Sequence, residues 1–214
     1  KTKDFSIVLY EITTQSVNYS IGDDNIGYLR ISRFAEGDTV ALTKKAADEF
    51  KAKGVKGIVL DLRGNGGGYL TAAQDISSLW LEEGKVIVQE RRGDVVQETL
   101  RSNGDPVLQG MPTVVLVDGG SASASEIVAG ALRDNGAARL VGVKTFGKGS
   151  VQQIEDMVGG GELKVTVSKW YTPNGKNINK EGISPDVTVQ LSDENIKDGK
   201  DPQKDKAYSL VKGE

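Results

Sequence analysis

The chain contains no histidine and no cysteine. Those two zeros exclude a Ser-His-Asp triad, a Cys-His dyad, a histidine-ligated zinc and every thiolate site built from this chain alone. Nucleophilic catalysis, if it occurs, falls to Ser, Thr, Lys, Asp or Glu, with a lysine or a carboxylate as base. With no thiol to oxidise, the composition says nothing about redox compartment. Proline is scarce, at 5 residues, and aromatic residues make up only 6%. No apolar run approaches the roughly 20 residues of a membrane-spanning helix, and the 214 residues carry no signal-peptide pattern. The chain opens at Lys1 inside an expected strand, so a targeting or anchoring segment is expected upstream in the parent protein. Basic and acidic residues nearly balance, 27 against 30. No basic stripe suits a phosphate backbone, so nucleic acid is not an expected partner.

Glycine is what the chain has in excess: 27 of 214 residues, against a usual share of roughly 7%. With so little proline, that excess points to tight turns and close backbone approaches rather than disorder. The length allows one to two domains, large enough to bury a core without disulfides.

The pattern predicts strands over 5–12, 17–21 and 26–32, with a turn at 22–25. A helix is expected over 38–53, where Leu42, Ala46 and Phe50 recur every four residues, Asp38 serves as N-cap and Gly54 as stop. The apolar run 57–62 suits a buried strand, and a second helix is expected over 70–83, with Leu70, Ala73, Ile76 and Trp80 on one face. Residues 86–91 and 95–100 form a hairpin around Arg92-Gly93-Asp94, a triplet better explained by its turn than by adhesion. Buried strand 113–117 leads to a third helix over 123–133, with further strands over 138–143 and 163–169. Strand-helix-strand units dominate residues 26–143, which implies an α/β core with a largely parallel sheet. Sites in such sheets form at the carboxyl ends of the strands.

Three glycine-rich loops are candidates for chemistry. The first, residues 119–126, runs from strand into helix as GGSASASE. Small residues there let a serine stand exposed while first-turn amides face developing negative charge, the mechanics of a nucleophile elbow without its usual spelling. The plainer reading makes these serines N-caps, with Ser123 and Glu126 forming a capping box. The second, RGNGGG at 63–68, lets backbone N–H groups approach a ligand closely, and a plain turn explains it equally well. The third, TFGKGSVQ at 145–152, nearly spells a phosphate-binding loop from Gly142. However, Gly149 stands where the magnesium-binding hydroxyl belongs, and no helical stripe follows. Lys148 could instead act as a base, as a lysine does when desolvation lowers its pKa toward neutral. Ser209 and Lys212 also spell S-x-x-K, two residues from the end of the chain, where no pocket can enclose it.

Taken together, DLRGNGGG at 61–68, GSASASEI at 120–127, FGKGSVQ at 146–152, YTPNG at 171–175 and GISPD at 182–186 resemble the C-terminal processing, or tail-specific, serine proteases. The resemblance covers about residues 26–190. It implies an α/β fold of the kind seen in Clp protease and crotonase subunits, with a smaller β extension. It implies a Ser-Lys mechanism in which Ser123 is the nucleophile, Lys148 the base and Gln152 the group that orients the lysine. The oxyanion would lie against the backbone N–H groups of Ala124 and Gly67. No cofactor or metal is called for, and the partners are protein or peptide substrates with accessible C-termini, with homo-oligomer formation an open expectation. The resemblance further places the parent outside the cytoplasm. In this reading residues 1–12 are a remnant of the last PDZ strand, 13–191 the protease core, and 192–214 a polar linker and short C-terminal segment, the charge alternation over 192–206 suiting a solvated linker ahead of a short terminal helix. The alternatives are a non-catalytic binding module on the same fold and a nucleotide binder.

Overall fold

The computed structural model describes residues 3, 14–35 and 37–214. The expected strand over 5–12, with its reading as a PDZ remnant, lies outside them.

Strands β1 (Val17–Ile21), β2 (Ile26–Ile31), β3 (Gly57–Asp61), β6 (Thr113–Val117), β7 (Arg139–Gly142) and β10 (Val187–Thr188) form one six-stranded sheet in the order β1-β2-β3-β6-β7-β10. Every pairing in it is parallel except β1 with β2. Both central strands, β3 and β6, are buried at all five positions, which is why they read as unbroken apolar runs. Their alternate residues serve two separate cores. Ile58, Leu60, Val115 and Val117 face helices α1 (Asp38–Ala52), α2 (Leu70–Ser78) and α3 (Ala124–Asp134). Val59, Val114 and Leu116 face the other way, onto Ala207 and Val211 of helix α5 (Pro202–Lys212).

Strands β4 (Val86–Arg92) and β5 (Val95–Arg101) form the expected hairpin. They extend into a second, antiparallel sheet with β8 (Ser150–Met157) and β9 (Gly161–Tyr171), in the order β5-β4-β9-β8. This sheet is larger than the small extension expected, because residues 150–157 are a strand and β9 runs four residues longer than 163–169.

Three further expectations need correction. Helix α2 stops at Ser78 rather than at 83. Leu79, Trp80 and Leu81 are all buried beyond its end, and the Leu79 carbonyl, which a continuing helix would use in its own ladder, instead accepts Leu108 N–H at 2.8 Å. The chain unwinds there, and Trp80 Nε1 donates to Thr113 Oγ1 at 2.9 Å. Asp38 is the first residue of α1 rather than its cap, and its carboxylate accepts the Ser16 hydroxyl instead. The expected linker over 192–206 holds α4 (Asp193–Lys197), and the short terminal helix expected after it starts earlier, as the docked α5, which Asp201 caps by accepting Lys204 N–H. Among the described residues, no helix is long and apolar enough to cross a membrane.

Phe50 is the largest wholly buried side chain that α1 contributes, and its ring lies on Gly27 of β2, where an added methyl would sit 3.0 Å from it. Phe50→Ala is expected to lower unfolding free energy by about 3–5 kcal/mol, as read from urea denaturation.

Candidate active site

Strands β3 and β6 are adjacent and parallel, with Asp61 opposite Leu116. Their carboxyl ends therefore release two glycine loops side by side, residues 62–69 and 118–123. One oxygen, Asp118 Oδ1, ties them together by accepting the N–H groups of Gly64 (2.8 Å), Gly120 (2.9 Å) and Ser121 (3.1 Å). The two backbones come so close that a Cβ on Gly120 would lie 2.9 Å from Gly64 Cα. Asn65, fully buried, adds further ties. Its carbonyl accepts Ala122 N–H and the Ser125 hydroxyl, and its amide nitrogen donates to Ile31 O.

The three clustered serines, which their local chemistry could not rank, differ sharply in the fold. Ser121 and Ser125 are fully buried. The Ser121 hydroxyl donates to Leu62 O and the Ser125 hydroxyl to Asn65 O, each at 2.8 Å. Ser123 is half-buried and sits at the N-cap of α3 with φ 55° and ψ −117°. A residue other than glycine held at such angles is strained, and this kind of strain is typical of the turn that presents a nucleophile at a strand-to-helix junction. Ala124 N–H, at the start of the helix, has no hydrogen-bond partner among the described residues. Gly67 lies against the serine: a Cβ there would be 2.7 Å from Ser123 Cβ, and its φ of +102° favours glycine in any case. Its N–H donates to Asn65 Oδ1 at 2.9 Å.

The third loop follows β7 and is joined to the other two through Glu126. This carboxylate is fully buried. Its Oε2 accepts the N–H groups of Ser123 and Lys148, each at 2.9 Å, and its Oε1 accepts Gly147 N–H at 2.8 Å and the Thr145 hydroxyl at 2.5 Å. The serine and lysine loops are thus held against one acid group. From the sequence only the Ser123–Glu126 half of this arrangement is legible, as a capping box. A glutamate kept in an otherwise apolar helix face was the available signal that more was attached to it.

The Lys148 side chain is exposed at this junction, and Gln152 is exposed on strand β8. No hydrogen bond joins the Ser123 hydroxyl, the Lys148 ammonium and the Gln152 amide to one another among the described residues. What the fold brings together is the Ser123 and Lys148 backbones. Gln152 enters on the strand that leaves the lysine loop. Gly149 rules out the nucleotide-binding reading: a Cβ there would sit 2.3 Å from Asn179 N, so no Ser or Thr fits, and the following residues form a strand where a phosphate loop needs a helix.

Residues 25–189 match the sequence model of Peptidase family S41. The chain is 40% identical over 190 residues to the "Carboxy-terminal processing protease CtpA" of Bacillus subtilis, covering 89% of this chain and 40% of that protein. It is 38% identical over 218 residues to a "Carboxyl-terminal-processing protease" of Synechocystis, covering 99% of this chain and 50% of that protein. The chain thus spans about half or less of these curated relatives. Among solved structures, it superimposes with a TM-score of 0.78 on a photosystem II D1 C-terminal processing protease, with 33% identity, 85% of this chain and 50% of the other being covered.

Removing the Glu126 carboxylate would leave four donors without their acceptor, three of them backbone amides. Glu126→Ala is expected to cost about 3 kcal/mol or more of stability in urea denaturation, since even one hydrogen bond to a charged group contributes roughly 1.5–3 kcal/mol.

Proposed function

The chain belongs to peptidase family S41, and from that premise we propose that it is the catalytic core of a serine endopeptidase that cleaves near the C-termini of protein substrates. The observation that carries this reading is Ser123 itself. Of three neighbouring serines it alone combines a strained strand-to-helix backbone with partial exposure, while its neighbours' hydroxyls are spent on buried carbonyls. The names of the relatives supply the substrate class.

In this proposal the neutral amine of Lys148 takes the Ser123 proton as Oγ attacks the scissile carbonyl carbon. The C–N bond then breaks, and the lysine passes the proton to the departing amine. Ala124 N–H, without another partner among the described residues and at the positive end of α3, meets the oxyanion. Gly67 N–H joins it by sharing or exchanging its bond to Asn65 Oδ1. Water then attacks the acyl-enzyme by the same route in reverse. Lys148 is exposed, so the substrate chain lying over it supplies the dry setting that a lysine base requires. Gln152, one bulge beyond Lys148 on β8, orients the amine and takes no proton itself. On the family resemblance alone, this work is done outside the cytoplasm. A non-catalytic module of the same fold has no need of Ser123, Lys148 and Gln152 together.

The test is cleavage of an unstructured peptide by alanine variants. Ser123→Ala is expected to lose activity by roughly 10⁴-fold or more. Ser121→Ala and Ser125→Ala should keep cleavage and lose about 1 kcal/mol of stability, because their hydroxyls only bond the backbone. Lys148→Arg should be inactive, since a guanidinium does not give up its proton, and Gln152→Ala should fall between that variant and wild type. Full activity in Ser123→Ala would overturn the assignment.

In this proposal the loops around Ser123 act on the scissile bond and do not themselves read the substrate's last residues. Two peptides differing only in their last three residues are therefore expected to be cleaved with similar kcat/KM by the 214-residue chain. Weak capture of the substrate would appear as a high KM rather than a low kcat. A strong preference that disappears on amidating the terminal carboxylate would show that the core reads the C-terminus by itself.

A further inference from the structure

The glycine loop beside Ser123 begins at Arg63, and this guanidinium is fully employed. Nε and Nη2 reach the two oxygens of Asp61 at 3.0 and 2.7 Å. Nη1 and Nη2 reach the two oxygens of Asp201 at 2.9 and 2.8 Å, and Nη1 also reaches Gln203 Oε1 at 3.0 Å. Asp61, at the end of β3, is wholly buried and also takes the Tyr28 hydroxyl and Arg63's own N–H. Asp201 is the cap of α5, 138 residues further along the chain. Gln203 is buried and donates onward to Val189 O. One arginine thus joins the root of the loop to the C-terminal helix through two forked ion pairs, the geometry for which a planar guanidinium is suited.

The loop it anchors is intrinsically loose. Gly64, Gly66, Gly67 and Gly68 supply four of the five residues after Arg63, and three of them hold a positive φ. Such a segment loses much backbone entropy on being ordered, so the precision of its amides depends on its fixed points. Asp118 and Asn65 fix it toward α3. Arg63 fixes its entrance, and does so against a helix on the opposite face of the sheet from α3.

We propose that Arg63 is a positioning residue that makes the C-terminal helix a support of the oxyanion loop, so that loosening Asp201 impairs the chemical step without touching the serine, the lysine or the substrate. This rests on the serine-peptidase reading given above. Asp201 is the partner to alter, because removing Arg63 would leave two facing carboxylates and risk unfolding. Burial would raise the Asp201 carboxyl's pKa, yet Arg63 holds it below its ordinary value, so the group is charged throughout the neutral range. Asp201→Asn keeps a side-chain oxygen for capping α5 while abolishing the charge.

The experiment compares the 214-residue chain with Asp201→Asn and with Arg63→Lys, which cannot make both forks at once. Hydrogen–deuterium exchange should speed up by about tenfold across residues 62–70 in both variants, with the amides of α3 and β6 unchanged. In peptide cleavage, kcat should fall roughly tenfold with KM nearly constant, as expected for a displaced oxyanion donor. Unchanged exchange in the loop would overturn the coupling. Faster exchange with unchanged kcat would overturn the positioning role. An inactive wild-type chain would count against the peptidase reading instead, and the exchange measurement would still decide whether the helix holds the loop.

Discussion

The buried carboxylate of Glu126 is the point on which the site depends. It accepts backbone N–H groups from both Ser123 and Lys148 through a single oxygen, and binds Gly147 and Thr145 through the other. An ionised carboxylate out of water is very costly unless its lone pairs are filled, and four donors from two loops fill them. The carboxylate therefore needs both loops in place, and each loop is fixed by it. A shared buried acceptor is an economical way to hold the Lys148 segment beside Ser123, as the proposed mechanism requires.

Close approach does the rest. The first two loops meet with almost no side-chain volume between them, Gly120 on Gly64 and Gly67 on Ser123, and the third packs Gly149 on the backbone of residues 178–179. Each contact is at a distance where a methyl group would collide with backbone, which cannot yield as a flexible side chain does. The glycine excess of the composition is, at these positions, a requirement of packing. It lets amides rather than side chains line the surface around Ser123. Thr145 shows the same economy from the other side: its hydroxyl donates to Glu126 and accepts Ile183 N–H, so the 182–186 segment is tied to the lysine loop through one oxygen.

Much of this was legible in the sequence, and the reasons differ by element. Strands β3 and β6 and helices α1 and α3 are held by large cores, so their apolar pattern is strong and their limits fall within a residue or two. Strand β8 escaped because its side chains are mostly exposed on both faces, so no alternation marks it, and pairing with β9 is what makes it a strand. Of helix α5 only a short terminal piece was expected, because it buries little beyond Gln203, Ala207 and Val211. Its cap, Asp201 followed by Pro202, was a fair local signal. The site motifs were visible as a set, but their division of labour was not. Nothing local separates Ser121, Ser123 and Ser125, and the difference appears only when backbone strain and hydroxyl partners are known.

The anchors around the site share a chemical logic. Asp118 joins the first loop to the second, Glu126 the second to the third, and Asp61 with Asp201 holds the first through Arg63. All are acids, and each spends its oxygens on backbone N–H groups, hydroxyls or a guanidinium. No ion pair of Lys148 is formed among the described residues. In the proposed mechanism, an acid that closed on the lysine would favour its charged form, the form that cannot accept the Ser123 proton. With Asp61, Asp118, Glu126 and Asp201 engaged by other donors, the anchors stay strong and, in that proposal, leave the amine to the serine. The acids that hold the loops are thereby kept from opposing the proposed chemistry.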